Sequence, residues 1–275
     1  MSAQALSGNG SLDQVHGDNE FGHFIRARRG RIRPQQVGLT PSGRRRVPGL
    51  RREELARIAG VSPRYLTRLE QGQDRNPSPQ VLRALAAALR LNADETAHLY
   101  ALAAPPAPVT GHDEVSDVVQ RLLDAWTDVP AYVRNRRFDV LAVNKSAMAL
   151  STLYTPGENL VRGMFLDPAV RTLFPDWAEV AAQTAAALRA EGVRHDPRTA
   201  ELISLMLGDS DFRAMWSAHD VRPVRDAIKR FDHPIAGSLT LRREALLIAG
   251  SPDQVIITYQ ADPGTSSVDA LARLR

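Results

Sequence analysis

Residues 52–72, Arg52-Glu53-Glu54-Leu55-Ala56-Arg57-Ile58-Ala59-Gly60-Val61-Ser62-Pro63-Arg64-Tyr65-Leu66-Thr67-Arg68-Leu69-Glu70-Gln71-Gly72, decide how the first part of this chain folds. Leu55, Ala56, Val61, Leu66 and Leu69 recur at spacings that turn them toward one small core. Gly60 offers the left-handed backbone that ends a helix. Ser62 suits the N-cap of a second helix and Pro63 its first turn. With Leu66 and Leu69 inward, Arg64, Thr67, Arg68 and Gln71 share the outer face at i, i+3, i+4 and i+7. Two short helices pinned around a glycine, the second with a basic and polar outer stripe, make a helix-turn-helix pattern. That stripe suits guanine edges and phosphates in a major groove, which points to double-stranded DNA.

Working outward, residues 1–19 are rich in Gly, Ser, Asn and Asp and are expected to form a disordered tail. A helix is expected over Glu20 to Arg31, with Phe21, Phe24, Ile25 and Ile32 inward and Pro34 as its stop. Residues 33–49 read as an irregular loop that carries Arg44-Arg45-Arg46. Past the central motif, Ser78 and Pro79 open a fourth helix whose inward stripe is Val81, Leu82, Leu85, Ala86 and Leu89. A fifth, Ala93 to Ala103, presents Ala97, Leu99, Tyr100 and Leu102. These five helices make an all-α domain over residues 20–104. The proline-rich run from Ala104 to Pro108 begins a linker assigned to 105–111, and a second domain follows over 112–275.

The second domain changes pattern. Val115 to Trp126 reads as an amphipathic helix, and Tyr132–Asn135 and Phe138–Asn144 as two strands around a turn at Arg136-Arg137. Helices are expected from Lys145 to Val221. Strands then return at Ile228–His233, Ala236–Arg243, Ala245–Ile248 and Val255–Gln260. The result is an antiparallel sheet covered by helices on one face, and an α+β protein overall.

Composition bounds the function. Residues 20–104 hold 16 Arg against 7 Asp and Glu, a surplus of nine, whereas residues 105–275 carry a net −3. A basic module joined to a mildly acidic one is the footprint of a two-part DNA-binding protein. There is no cysteine, and the seven histidines are scattered without metal-ligand spacing, so no metal or other cofactor is expected. No apolar run is long enough for a membrane span and no signal segment opens the chain, so a cytoplasmic protein is expected. Neither a GxSxG elbow, a phosphate-binding glycine loop nor a suggestive carboxylate pair occurs, so an enzyme is not expected.

Several motifs in one order carry a family resemblance. Val47-Pro48-Gly49-Leu50-Arg51-Arg52-Glu53-Glu54-Leu55-Ala56 followed by Gly60-Val61-Ser62 resembles the MmyB-type bacterial regulators, within the wider Xre/Cro helix-turn-helix class of the lambda and 434 repressors. Downstream, Arg136 to Asn144, Phe165-Leu166-Asp167-Pro168, Phe174-Pro175-Asp176-Trp177, Trp216 to Arg222 and Lys229 to Pro234 are similar to that family's second domain. The resemblance implies a lambda-repressor-like head and a PAS-like ligand-binding domain behind it. It also implies a homodimer on a palindromic operator, and a fatty-acid-like small-molecule effector.

On this reading Arg52, Ser62, Pro63, Arg64, Thr67 and Arg68 face DNA. Arg64 and Arg68 either read bases or hold phosphates. Ser62 and Thr67 either bond phosphate or serve their own helix, and Arg52 is placed to clamp a phosphate. Pro63 has no donor to offer a base. Arg44, Arg45 and Arg46 are either a solvated charge run or a DNA-backbone or minor-groove contact. Glu54 and Glu70 are read as structural. In the second domain Phe138, Leu141, Phe165, Trp177, Met206, Phe212, Trp216 and Phe231 are candidates to line a ligand pocket, with ordinary core as the other reading. His219 and Arg222 are the polar candidates, with an Asp220–Arg222 ion pair as the alternative. The rival function is a DNA-binding regulator whose second domain only dimerises or binds a protein partner.

Overall fold

A computed structural model describes residues 19–40, 48–74, 76–104, 113–192, 196–221 and 227–274. The chain divides into two compact units between Pro106 and Ala107. The expected tail lies outside the described residues except for Asn19, and so do Arg44, Arg45, Arg46, Arg222 and the expected linker.

Among the described residues the first unit has five α-helices: α1 (Glu20–Arg31), α2 (Arg52–Ile58), α3 (Pro63–Glu70), α4 (Pro79–Ala88) and α5 (Ala93–Ala103). Their starts follow from side chains that satisfy orphan backbone donors. Asn19 Oδ1 accepts from Gly22 N, Ser62 Oγ from Tyr65 N and Ser78 Oγ from Val81 N. Asn92 and Glu95 form a reciprocal capping box on α5. Glu54 Oε2 accepts from Arg51 N at 2.6 Å, which fixes the start of α2. Gly60 ends that helix with φ of 65°. Leu55, Ala56, Leu66 and Leu69 are buried as expected, while Val61 is half-buried. In α5 the inward side differs from the sequence reading: Ala97 is exposed and His98 is buried, its ring edge-on to Phe24 at 5.2 Å. Glu95 fixes that rotation by pairing with Arg28 of α1 at 2.7 Å.

Glu70, at the end of α3, is the junction of the head. Its side chain is wholly buried. Arg29 Nε and Nη2 reach its two carboxylate oxygens at 2.7 and 3.2 Å, and Arg52 Nε reaches Oε2 at 2.5 Å. Its carbonyl accepts from Asn19 Nδ2 and Arg26 Nη2. A Cβ on Gly22 would stand 2.5 Å from that carbonyl oxygen, so only glycine lets α1 pass there.

The second unit begins with α6 (Asp117–Ala125), β1 (Ala131–Asn135) and β2 (Val140–Val143). Among the described residues six α-helices follow: α7 (Lys145–Leu150), α8 (Leu160–Leu166), α9 (Pro168–Leu173), α10 (Trp177–Glu191), α11 (Pro197–Met206) and α12 (Ser210–Ser217). β3 (Ala227–His233), β4 (Gly237–Leu247), β5 (Gln254–Ala261) and α13 (Ser266–Ala272) complete it. The strands form one antiparallel sheet in the order β2-β1-β5-β4-β3. Phe231, Leu239, Leu241, Ile257 and Tyr259 pack on its main face against α8, α10 and their neighbours.

Three expectations need correction. The segments Ala236–Arg243 and Ala245–Ile248 are one strand, β4, since pairing with β5 continues unbroken through Glu244↔Thr258. The sheet's other face is not bare: Leu123 of α6 packs there with Val133, Ala142 and Ile256. The terminal helix α13 was not anticipated. Asn144 ties these parts together. Its Oδ1 accepts from Ala131 N and caps α7 at Ala147 N, while Nδ2 donates to the carbonyls of Trp126 and Val129, both at 2.8 Å.

The Glu70→Ala variant takes the counter-charge from Arg29, whose side chain is only 12% exposed. It is expected to lower the head's unfolding free energy by about 3–5 kcal/mol. Denaturant melts of the full chain followed by helical circular dichroism measure this, and a loss below about 1 kcal/mol would contradict the junction role.

Candidate functional site

The head presents α3 outward. Arg64 is exposed and has no partner among the described residues. One turn on, Arg68 is half-exposed and pairs with Asp74 at 2.9 Å. Thr67 turns its hydroxyl back to Pro63 O at 2.9 Å, and Ser62 uses its own as the cap. Both hydroxyls therefore serve the helix in this state, while Pro63 is exposed at its first turn. Arg52 holds Glu70 through Nε yet keeps 45% of its side chain exposed, so its free edge remains at the surface. Tyr65, which sequence reading passed over, sits beside the Arg68–Asp74 pair. Burial and Asp74 raise its pKa while Arg68 opposes them, so the phenol stays protonated at neutral pH.

The second unit holds a cavity between sheet and helices, of about 50 Å³. Tyr132, Arg134, Lys229, Arg243 and Tyr259 bound it from the strands. Leu153, Tyr154, Leu160, Met164, Phe174, Val180, Gln183 and Thr184 close it from the other side. Phe138 joins them from the β1–β2 turn, at φ of 70° with its ring under the Arg134 guanidinium at 4.2 Å.

Among the described residues Phe138 is the one sequence candidate in this lining. Met206, Phe212 and Phe231 are fully buried core. Phe165 and Trp177 meet edge-on at 5.9 Å, and Trp177 donates to Met164 O. Trp216 stacks on Phe212 under Arg189, and His219 follows α12 in a left-handed conformation at φ of 52°. Leu141 needs correction. Strand alternation from Val143 would place it on the cavity face, but a bulge pairs Val140 with Arg134 instead. Leu141 consequently packs with α6 on the opposite face.

The cavity's cations were missed because charged residues in strands read as solvated. The two-residue period did carry the signal. Lys229 alternates with Phe231, Arg243 with Leu241, and Tyr259 with Ile257, all on the buried face. Arg134 is neutralised by Glu191 at 2.5 Å. Lys229 Nζ donates to the neutral Gln183 Oε1 at 2.5 Å. Burial and Arg243 push Lys229 down to about 8, against the weaker pull of Glu179 and Asp176. Burial likewise drives the Tyr132 and Tyr154 phenols well above their ordinary value, and Tyr154 donates to Tyr259 Oη at 2.9 Å. The site thus offers cations and hydroxyls to an anion with an apolar body. Among the described residues no His, Cys, Asp and Glu cluster could hold a metal, and no helix is long and apolar enough to cross a membrane.

Comparison with known proteins identifies both units by family. Residues 20–99 match a helix-turn-helix domain family, and residues 115–274 match the MmyB-like transcription regulator ligand binding domain. Both are modules of regulators rather than of enzymes, and no curated protein matches the chain. An outward basic helix on one unit and a donor-lined cavity in the other fit those two matches, and the chain belongs to the MmyB-like transcription regulators, with a DNA-binding helix-turn-helix ahead of a ligand-binding domain.

Proposed function

We propose that the protein is a cytoplasmic, homodimeric regulator that reads a palindromic operator through α3, and that a small molecule in the second domain's cavity alters that reading. The exposed Arg64 and Arg68 on a helix fixed at both ends carry the first half of this proposal. Each guanidinium can bridge guanine O6 and N7. Two heads meeting one face of a duplex need half-sites about 34 Å apart, which is why a palindrome goes with a dimer.

The donor-lined cavity supports the second half. A fatty-acid-like effector, the class the resemblance implies, would find partners for its carboxylate there. A volume of about 50 Å³ is far short of an alkyl chain, so such an effector must part the helices from the sheet to enter.

Arg68→Ala should weaken the preferred operator by about 1–3 kcal/mol and relax one base position. Asp74→Asn releases Arg68 from its pair and should tighten the same complex. Fluorescence anisotropy on a site obtained by in vitro selection tests both. Equal weakening on every sequence would make Arg68 a phosphate ligand. Replacing Arg44, Arg45 and Arg46 by Gln should lower the salt slope by about one for each phosphate that the loop neutralises, and an unchanged slope removes that loop from the interface.

For the sensor, native mass spectrometry of the freshly purified full chain should reveal a co-purifying small molecule. Its removal should change operator affinity. Equal affinity with and without it would leave the second domain as a dimerisation or adaptor module.

A further inference from the structure

The turn between β1 and β2 joins two regions through neighbouring residues. Phe138 stands in the cavity wall with its backbone at φ of 70°, a left-handed conformation that a bulky side chain adopts only under strain. Among the described residues that line the cavity it alone has such a backbone. Its ring holds it there, 3% exposed in the core and covered by the Arg134 guanidinium at 4.2 Å. The chain on either side is pinned as well. Asn135 Oδ1 accepts from Arg137 N and Asp139 N, Asn159 Nδ2 donates to Arg137 O, and Leu160 N donates to Phe138 O at 2.9 Å.

Arg137, one residue earlier, is tied to the stretch where the chain enters the second unit. That unit begins at Ala107, and Asp113 is its first described residue. Arg137 Nη2 donates to both carboxylate oxygens of Asp113, at 2.6 and 2.7 Å, from a side chain that is 9% exposed. Asn135 Nδ2 adds a bond to the same carboxylate at 3.0 Å, and Arg198 of α11 one at 3.3 Å. Beside it, Glu114 O accepts from Gln254 Nε2 of β5. Two more carboxylates stand near the Arg137 guanidinium: Asp139 at 3.5 Å and Asp196, the N-cap of α11, at 3.7 Å. A buried cation can leave one partner at moderate cost when another is at hand, because its charge is not stranded. Arg137 has that second arrangement within reach.

We propose that the β1–β2 turn is a strained latch: a molecule that displaces Phe138 from the cavity wall lets the turn relax, and Arg137 passes from Asp113 to Asp139 and Asp196. This deepens the sensor reading above and rests on it for the molecule that moves Phe138. No particular ligand shape is needed. A cavity of about 50 Å³ has room for a few waters, so a larger occupant must push a wall outward. The strained wall yields most readily, because its backbone relaxes as it leaves. Release of Asp113 and Glu114 then adds up to about 3.5 Å of reach per residue to the chain between the two units. For two heads on half-sites about 34 Å apart, added reach changes how readily both bind at once.

Two substitutions at Phe138 separate strain from simple loss of packing. Phe138→Ala and Phe138→Gly both delete the ring, but only glycine keeps φ of 70° without strain. Alanine should therefore open the latch and glycine leave it shut. Cleavage of the full chain after Glu114 by glutamyl endopeptidase, followed by intact mass, reads the opening. All proteins are first extracted to remove co-purified molecules. Phe138→Ala and Asp113→Asn should be cut there tenfold or more faster than the wild type, and Phe138→Gly within twofold of it. On an operator obtained by in vitro selection, Phe138→Ala and Asp113→Asn should shift Kd threefold or more in one direction. The double variant should go no further than Asp113→Asn alone. Equal cutting of the alanine and glycine variants overturns the latch, and so do additive shifts in Kd. Asp113→Asn alters a side chain that is 40% exposed, so it leaves the core intact and decides alone where a Phe138 variant does not fold. Its operator affinity remaining at the wild-type value overturns the latch. Should extraction alone shift the wild type's affinity in that case, the sensor still stands. If the variants behave as expected while extraction changes nothing in the wild type, the latch stands and the sensor falls.

Discussion

One buried carboxylate sets the geometry of the DNA-binding head. Glu70 closes α3 and receives Arg29 from α1 and Arg52 from α2, so a single side chain fixes the last turn of the recognition helix against two others. Arg29 extends the tie by donating to Leu50 O ahead of α2. Replacing such a buried ion pair by apolar groups is often neutral for stability, so its use is better sought in register than in strength. Here register has a direct consequence. If α3 rotated by a single residue, about 100° on a helix of 3.6 residues per turn, Arg64 and Arg68 would leave the outer face. Three arginines around one acid also leave a positive surplus at the surface, and the exposed edge of Arg52 belongs to it.

Asn144 performs the comparable service for the second domain with neutral groups. It sits between β2 and α7 and bonds the start of β1 and the chain leaving α6. Both faces of the sheet are thereby located by one amide. The cavity then follows from strand alternation on the face opposite α6, where β1, β5, β4 and β3 each contribute polar groups to one apolar layer.

Much of this was legible in residue order because the signals are local. Ser62 and Ser78 cap helices, Gly60 turns the chain, and each effect acts within about four residues. What stayed hidden depends on partners distant in sequence. Leu141 changes face because β2 bulges against β1. His98 turns inward because Glu95 must meet Arg28, far earlier in the chain. The joining of two apparent strands into β4 depends on β5, which lies after both. In the site, large apolar residues drew attention as pocket walls, but Phe212, Phe231 and Met206 fill space completely. The groups that bound the cavity are those whose polar ends keep neighbours from closing over them: Lys229, Arg243 and the tyrosines.

The two domains treat buried charge in opposite ways, and the difference bears on how a sensor could work. In the head, the chain supplies both signs and the junction is complete. In the second domain Lys229 meets an amide, and α10 provides it from Gln183 while also providing Glu191 to Arg134 two turns later. The same helix carries Arg189 over Trp216 of α12. Whatever neutralises Lys229 therefore changes what holds α10 to the sheet, and α10 is already tied to α12. A ligand shifts an equilibrium only by its difference in affinity for the two arrangements. A fully satisfied layer would present nearly the same partners in each. A buried lysine held by a neutral amide of α10 lets the two arrangements differ in how well they hold an anion.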